Sequence, residues 1–263
     1  MVIRSRSNAR LKEIRRLRRQ RGPEAILEGP HLVAEALAAD HSPESVLMTP
    51  EFAESRPGQE LAAALSRPPL LVEDSLLAEI TDSTSPRGVL AVTLLHRGGA
   101  EALPCLAGGV YLYLDQLQDP GNLGALARVA EAAGAVGLAL SPGSANPNHP
   151  RALRASAGSL LRLPTAVGVE AEALSEYLAD LQPVWTALAP RGGENLYQAP
   201  MAETAILVLG AEGPGVSAAL EARATSRLTI PMAEPVESLN VTVAAALVLF
   251  ERRRLQEAGS KTT

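Results

Sequence analysis

Three loops in the second half of the chain combine glycines with polar side chains. They read LDQLQDPGNLGALAR (114–128), LGAEGPGVS (209–217) and IPMAEPVESLN (230–240). Ligands of parallel α/β sheets bind at the carboxyl ends of the strands, so loops of this kind are where chemistry is expected. The glycines of the second loop let a backbone approach a ligand closely, and Glu212 adds a single carboxylate. Their spacing matches neither the dinucleotide fingerprint nor the phosphate loop.

The same polar residues also admit a purely structural explanation. Asn122 could be the N-cap of the helix that follows it, with Arg128 a surface cation paired with Glu131. Ser238 could cap the apolar helix at the end of the third loop. This explanation leaves Asn240, a poor helix former, in need of a hydrogen-bond partner at a buried edge. Taken singly, the loops leave both interpretations open.

The elements that must position these loops alternate between strand and helix. Apolar runs predict buried strands at 109–115, 135–141, 183–190 and 205–213. Helices are predicted between them at about 122–133, 150–160, 171–181 and 217–224. Nearly continuous apolar strands separated by helices indicate a parallel sheet covered on both faces. The predicted fold class is therefore α/β.

The beginning of the chain, to about residue 95, shows a second α/β pattern that starts with a basic helix. Residues 1–21 carry nine Lys or Arg and one Glu, a local charge of +8, whereas the whole chain carries −5. Leu11, Ile14 and Leu17 recur at helical intervals and leave arginines over the remaining surface. Such a segment suits a polyanion, or it is a solvated helix face. Charge alone does not decide between the two.

Composition excludes several other classes of protein. The single cysteine, Cys105, rules out an internal disulfide, and the four histidines lack metal-ligand spacing, so no metal is expected. No apolar run reaches the roughly 18 residues that span a membrane. The arginine-rich start is not followed by a signal-peptide apolar segment. We therefore expect a cytoplasmic protein without membrane segments.

The three loops together resemble one known family. NLGALAR, LGAEGPG and IPMAEPVESLNVTVAAAL, in this order, look like the signature motifs of SpoU/TrmH-type RNA ribose 2′-O-methyltransferases of the SPOUT class. The resemblance covers residues 110 to about 254, and two further segments, 81–92 and 141–164, are also similar to the family. It implies a parallel-sheet catalytic domain with a trefoil knot at 110–263. A small α/β substrate-binding domain at 1–98 and a linker at 99–109 would precede it.

The resemblance also implies a cofactor and roles for individual residues. The cofactor would be S-adenosylmethionine, held by Gly210, Gly213, Ile230, Met232 and Leu239. The catalytic residues would be Asn122, Arg128, Glu212, Ser238 and Asn240. Since a guanidinium stays protonated in proteins, our hypothesis is that Arg128, aligned by Asn122 and a target phosphate, stabilises the oxyanion of the ribose. Glu212 would orient the site.

The implied substrate is structured RNA, and the implied assembly is a homodimer. Arginines suited to RNA phosphates are Arg15, Arg16, Arg18, Arg19, Arg151 and Arg154. For Arg151 and Arg154 a helix-capping and surface role is an equal alternative. Ribosomal RNA is favoured, with transfer RNA as an alternative. A non-catalytic RNA-binding protein that keeps the fold is the second alternative. Two residues depart from the family pattern, namely Glu234 in place of glycine and Asn146 in place of the common aspartate.

Overall fold

The structure is a computed structural model that describes residues 2–19, 22–81, 87–213 and 215–259. The chain divides into two units. The first comprises residues 1–96 and 146–162, and the second comprises residues 97–145 and 163–263. The chain therefore passes between the units three times, at 96/97, 145/146 and 162/163. The sequence predicts consecutive domains instead, and its boundaries at 98 and 109 stay a prediction. Residues 20–21 of the basic segment and 82–86 of the family-like segment lie outside the described residues.

Strands and helices alternate along both units. The strands are β1 (Val2–Ile3), β2 (Glu24–Glu28), β3 (Ser45–Met48), β4 (Leu70–Val72), β5 (Val89–Leu94), β6 (Val110–Leu114), β7 (Gly137–Leu140), β8 (Thr165–Val167), β9 (Val184–Leu188), β10 (Glu194–Asn195), β11 (Ala205–Leu209) and β12 (Ser226–Thr229). The helices are α1 (Ala9–Leu17), α2 (Pro30–Ala38), α3 (Pro50–Glu54), α4 (Arg56–Ala64), α5 (Asp74–Glu79), α6 (Pro120–Ala133), α7 (Pro150–Ser156), α8 (Ser159–Arg162), α9 (Ala171–Tyr177), α10 (Ala218–Arg223) and α11 (Val241–Gly259). Short 3-10 turns occupy Ala100–Ala102 and Ala179–Leu181.

The first unit is built on a mixed five-stranded sheet in the order β1-β4-β3-β5-β2. Strand β5 runs antiparallel to both β2 and β3, whereas the other pairs are parallel. Helix α1 begins at its N-cap Asn8 and buries Leu11, Ile14 and Leu17 in the core of this unit. The predicted apolar stripe of the basic helix is confirmed, and its arginines lie on the remaining surface.

Residues 146–162 complete the first unit, although in the chain they lie between strands of the second. The amide nitrogen of the buried Asn148 side chain donates to the carbonyl of Leu95 at 3.0 Å. Arg154 forms an ion pair with Glu28, whose side chain is only 2% exposed. The predicted helix at 150–160 is in fact two helices, α7 and α8. Ala157 and Gly158 have positive φ angles, which end α7 before α8 begins.

The second unit contains a seven-stranded sheet in the order β10-β12-β9-β11-β6-β7-β8. Every described pairing in this sheet is parallel, and β6, β7 and β11 are buried along their whole length. Helix α11 packs against α6. This confirms the predicted α/β class with its largely parallel sheet, while the trefoil knot stays a prediction. No helix among the described residues is both long and apolar enough to cross a membrane.

Candidate active site

The candidate site lies where two neighbouring strands end. β6 and β11 pair in parallel with Leu114 opposite Leu209, so the loops that follow them start side by side. The backbone N–H of Asp115 donates to the carbonyl of Leu209 at 2.9 Å and continues the pairing by one residue. This edge is the carboxyl end of the parallel sheet, where α/β proteins bind their ligands.

The start of helix α6 frees Asn122 from a capping role. The N-cap is Asp119, whose Oδ1 accepts from the backbone N–H of Asn122 at 2.8 Å, and Pro120 occupies the first helical position. The explanation in which Asn122 itself caps the helix is therefore wrong. Its side chain amide donates instead to Oε1 of Glu212, a residue 90 positions further along the chain.

The N-cap of helix α11, which starts at Val241, is Asn240 rather than Ser238. Oδ1 of Asn240 accepts from the backbone N–H groups of Thr242 at 2.9 Å and Val243 at 3.4 Å, which is the geometry of a helix N-cap. The structural explanation of Ser238 as the cap is wrong. The side chain amide of Asn240 donates to Oδ1 of Asn122 at 3.2 Å, which supplies the expected partner. The expectation of a buried edge is wrong, because Asn240 is exposed.

These bonds join three loops into one polar chain, Asn240 to Asn122 to Glu212. Both polar atoms of the Asn122 side chain are used within it. Asn122 therefore orients Glu212, and the structure does not show it aligning Arg128. Arg128 is exposed on α6, six residues after Asn122. At 100° per residue it points to a different side of the helix.

A cavity of about 360 Å³ opens beside the polar chain. Glu212, Ser238 and Asn240 all line it. The five residues expected to hold the cofactor also line it, namely Gly210, Gly213, Ile230, Met232 and Leu239. The structure thus brings eight of the predicted site residues to one cavity and links Asn122 to them, whereas Arg128 lies outside the lining.

The glycine loop folds back on itself at the cavity wall. The N–H of Gly215 donates to the carbonyl of Ala211 at 3.0 Å. A Cβ built on Gly210 would lie 2.0 Å from the carbonyl carbon of Gly215, so no side chain fits at that position. Gly213 and Gly215 both have positive φ angles, 88° and 75°, a conformation that favours glycine. Gly210 is therefore explained by the lack of space for a side chain, and Gly213 and Gly215 are explained by their positive φ angles.

The basic residues predicted to bind RNA belong to the first unit. Arg16 and Arg19 are exposed near the end of α1. Arg15 lies in an ion pair with Glu79, with Nη2 to Oε2 at 3.3 Å. These positions leave the arginines near the surface of that unit.

Three further arginines surround His149. Nδ1 of His149 caps α7 by accepting from the backbone N–H of Arg151 at 3.1 Å. Burial lowers the pKa of this imidazole below its ordinary value, and the charges of Arg154, Arg151 and Arg18 lower it further, whereas Glu28 opposes them. The three arginines come from two segments that are far apart in the chain, the end of helix α1 and helix α7. We call Arg18, Arg151 and Arg154 the His149 arginine cluster.

Sequence reasoning missed two acidic residues that organise the site, Asp115 and Asp119. An Asp directly before a Pro at a helix start is a recognised N-cap signal, so Asp119 could have been found. The role of Asp115 depends on a contact with Ser217, which no local pattern indicates. Among the described residues, no group of three or more His, Cys, Asp or Glu is arranged to hold a metal ion.

Comparison with known proteins identifies the family. The model of the SpoU rRNA Methylase family matches residues 109–250, and that of the MRM3-like substrate binding domain matches residues 8–91. A protein of Synechocystis sp. named an uncharacterized tRNA/rRNA methyltransferase is 34% identical over 98% of this chain and 95% of its own. The 23S rRNA (guanosine(2553)-2′-O)-methyltransferase RlmP of Bacillus subtilis is 33% identical over 87% of this chain and 88% of its own.

A solved structure agrees with these sequence matches. The AdoMet-bound rRNA methyltransferase of Sinorhizobium meliloti superposes with a TM-score of 0.84 at 26% identity, covering 97% of this chain and 98% of that one. The family-model match spans more than half of the chain and includes all three signature loops. The resemblance read from the loops is thereby confirmed, and the chain belongs to the SpoU rRNA methylase family.

Proposed function

We propose that this protein is an S-adenosylmethionine-dependent methyltransferase that acts on a ribose 2′-hydroxyl of RNA. The observation that carries the proposal is the polar chain Asn240–Asn122–Glu212 beside the 360 Å³ cavity, in a member of this family. Relatives named as 23S rRNA 2′-O-methyltransferases favour ribosomal RNA over transfer RNA as the substrate. The enzyme would then act in the cytoplasm.

The cavity suits the cofactor in size and in lining. Small-molecule sites typically enclose about 300–1,000 Å³ with mainly apolar walls, and this cavity of about 360 Å³ has Ile230 and Leu239 among its walls. The absence of a side chain at Gly210 lets the backbone of Gly215 and Val216 pack against it, and all three residues line the cavity. Gly210, Ile230 and Leu239 would hold the adenosine, with Gly213 and Met232 as further walls. When bound, the cofactor supplies an electrophilic methyl group.

The residues around the cavity would position and activate the ribose. A 2′-hydroxyl is a poor nucleophile, so transfer requires in-line alignment and stabilisation of negative charge on the oxygen. Ser238 and Asn240 would hydrogen-bond the ribose, and Asn122 would keep the carboxylate of Glu212 in place. Arg128 would stabilise the developing oxyanion, with the 2′-hydroxyl proton passing to an RNA phosphate or to water.

The first unit would bind the RNA. The His149 arginine cluster gathers positive charge from α1 and α7, which suits phosphate groups. Arg15, Arg16 and Arg19 would extend this surface along α1. Arg154 has a second task, because it also neutralises the buried Glu28.

The protein would act as a homodimer through helix α11. Val243 and Phe250 are seven residues apart on this helix and are 48% and 47% exposed. Residues at this spacing lie on one face of a helix, and Leu247 lies between them on the same face. An exposed apolar stripe of this kind is stabilised when a second copy of the chain covers it.

Calorimetry and methyl transfer test the proposed function together. The protein should bind S-adenosylmethionine but not NAD, and it should methylate unmodified 23S ribosomal RNA transcribed from the host's own gene. Arg128→Ala should abolish transfer while changing cofactor affinity by less than about threefold, because Arg128 does not line the cavity. If Arg128→Lys kept most of the single-turnover rate, the geometry of the guanidinium would be unnecessary.

Two further results would contradict the proposal. Salt-dependent RNA binding without any binding of S-adenosylmethionine would favour the non-catalytic alternative. Ribose methylation that is identical in cells with and without the protein would show that RNA is not methylated by it.

A further inference from the structure

Two carboxylates follow strand β6 within five residues, and each accepts a hydrogen bond from a different loop of the site. Asp115 is only 5% exposed, and its Oδ2 accepts from the backbone N–H of Ser217 at 2.8 Å. Asp119 accepts from the backbone N–H of Asn122 at 2.8 Å. The first bond acts on the glycine loop and the second on the polar chain. Neither carboxylate lines the cavity.

Asp115 holds both ends of the glycine loop. Its own N–H donates to the carbonyl of Leu209, where the loop begins, and its carboxylate holds Ser217, where the loop ends. Between these points stand three glycines, which give a free loop many conformations and make its ordering costly. A carboxylate is expensive to bury unless it is hydrogen-bonded. We therefore explain the burial of Asp115 by its role in holding the two ends of the glycine loop.

Asp119 acts on the polar chain Asn240–Asn122–Glu212 through its hydrogen bond with Asn122. As the N-cap it sets where the first turn of α6 begins. That turn carries the Asn122 side chain, which contacts Glu212 on one side and Asn240 on the other. A shift of the first turn would therefore change the contacts of Asn122 with the side chains of Glu212 and Asn240, while the two ends of the glycine loop stay tied to Asp115.

We propose that Asp115 and Asp119 are separate positioning residues, Asp115 for the cofactor loop and Asp119 for the groups that face the ribose. The proposal rests on the proposed function and adds a division of labour within it. A change at Asp115 should act on cofactor binding. A change at Asp119 should act on the transfer step.

The test compares alanine and asparagine at each position in the full-length protein. Asp115→Ala should weaken S-adenosylmethionine binding about tenfold by calorimetry, and the rate at saturating cofactor should stay within about threefold of wild type. It should also speed hydrogen exchange of the amides in the glycine loop. Asp115→Asn keeps an oxygen that can accept from Ser217, so it should restore affinity to within about threefold.

The Asp119 variants should show the reverse pattern. Asp119→Ala should slow single-turnover transfer about tenfold or more and change cofactor affinity by less than about threefold. Asp119→Asn should recover most of the rate, because Asn is as good an N-cap as Asp. The melting temperature of each variant shows whether its loss of affinity or rate results from a loss of overall stability.

Two outcomes would overturn the division of labour. In the first, both alanine variants change affinity and rate together, in proportion to their loss of melting temperature. In the second, the asparagine variants fold but fail to restore the affected quantity, so the hydrogen bonds are not responsible. A wild-type protein that binds no S-adenosylmethionine would overturn the proposed function itself, which separates the two failures.

Discussion

Replacing Gly210 by alanine should greatly weaken cofactor binding. The added Cβ would lie 2.0 Å from the carbonyl carbon of Gly215 and 2.2 Å from the backbone nitrogen of Val216, whereas ordinary contacts begin near 3.4 Å. The backbone at residues 215–216 must therefore retreat by about 1.4 Å. That backbone is tied to Ala211 at 3.0 Å and, through Ser217, to Asp115 at 2.8 Å.

The displacement sets the size of the expected effect. A misplacement of about 1 Å can cost about a hundredfold in reaction rate at a site that requires alignment, and we take the same factor for cofactor affinity. A hundredfold loss of affinity corresponds to about 2.7 kcal/mol. We expect a loss of this size in the affinity for S-adenosylmethionine, because residues 210, 213 and 215 all line the cavity. Isothermal calorimetry measures it directly.

Gly134→Ala is the matched control for this experiment. Gly134 ends helix α6 with a φ of 81°, and a Cβ there would meet no atom within 4 Å. Alanine at this position costs about 1–2 kcal/mol of stability through its left-handed backbone but leaves the cavity unchanged. If Gly210→Ala bound the cofactor within threefold of wild type, the glycine loop would not form the cofactor wall, and the argument from its geometry would be refuted.

Three further predictions concern charge, pH and assembly. Arg154→Ala should lower the free energy of unfolding by about 2 kcal/mol in denaturant titrations, because it removes the ion pair with the buried Glu28, although Arg154 itself is 31% exposed. Arg151 is exposed, so Arg151→Ala should change the free energy of unfolding by less than about 0.5 kcal/mol. The same variant should reduce the slope of RNA affinity against salt concentration by about the amount expected for one phosphate contact. The pKa of His149 is lowered in the folded protein, so the folded state favours the neutral imidazole. The contribution of His149 to stability is therefore present above its ordinary pKa and is lost as the pH falls through the folded pKa. Between about pH 7.5 and 5 the melting temperature should fall more for wild type than for His149→Asn. Phe250→Glu should turn a dimer into a monomer in sedimentation velocity, because it places a charge in the exposed stripe of α11.

Each of these predictions has a result that contradicts it. Equal stability of the Arg154 and Arg151 variants would show that the ion pair with Glu28 contributes nothing measurable. Parallel pH profiles for wild type and His149→Asn would exclude the imidazole as the source of the pH dependence. A wild-type protein that is monomeric at every concentration would refute the proposed use of the α11 stripe.

Apolar periodicity was enough to predict the parts of the fold with continuous buried runs. The strands β6, β7, β9 and β11 follow from such runs, because strands covered on both faces need no polar alternation. The strands β8 and β10 have only three and two residues, too few for a pattern to emerge, and β12 has a single buried residue rather than a continuous buried run. The break between α7 and α8 was missed as well, because an alanine with positive φ has no signature in the sequence.

The family resemblance predicted which residues belong to the candidate site, but it did not predict the hydrogen bonds between them. Eight of the residues taken from the family motifs line the cavity, but the motifs do not say which side chain caps which helix. Asn122 and Ser238 both stand near helix starts, and in both cases a neighbouring residue, Asp119 or Asn240, is the cap. The contact between Asn122 and Glu212 joins positions 90 residues apart, which only the tertiary structure reveals.

The placement of residues 146–162 limits how this protein can be rebuilt or recombined. A hybrid that exchanges the amino-terminal part at one junction near residue 96 would leave Glu28 without Arg154 and the Leu95 carbonyl without Asn148. Grafting a foreign RNA-binding module onto this catalytic half therefore requires an exchange at three junctions. Evolution faces the same restriction, so the two halves should be inherited together rather than shuffled as separate cassettes.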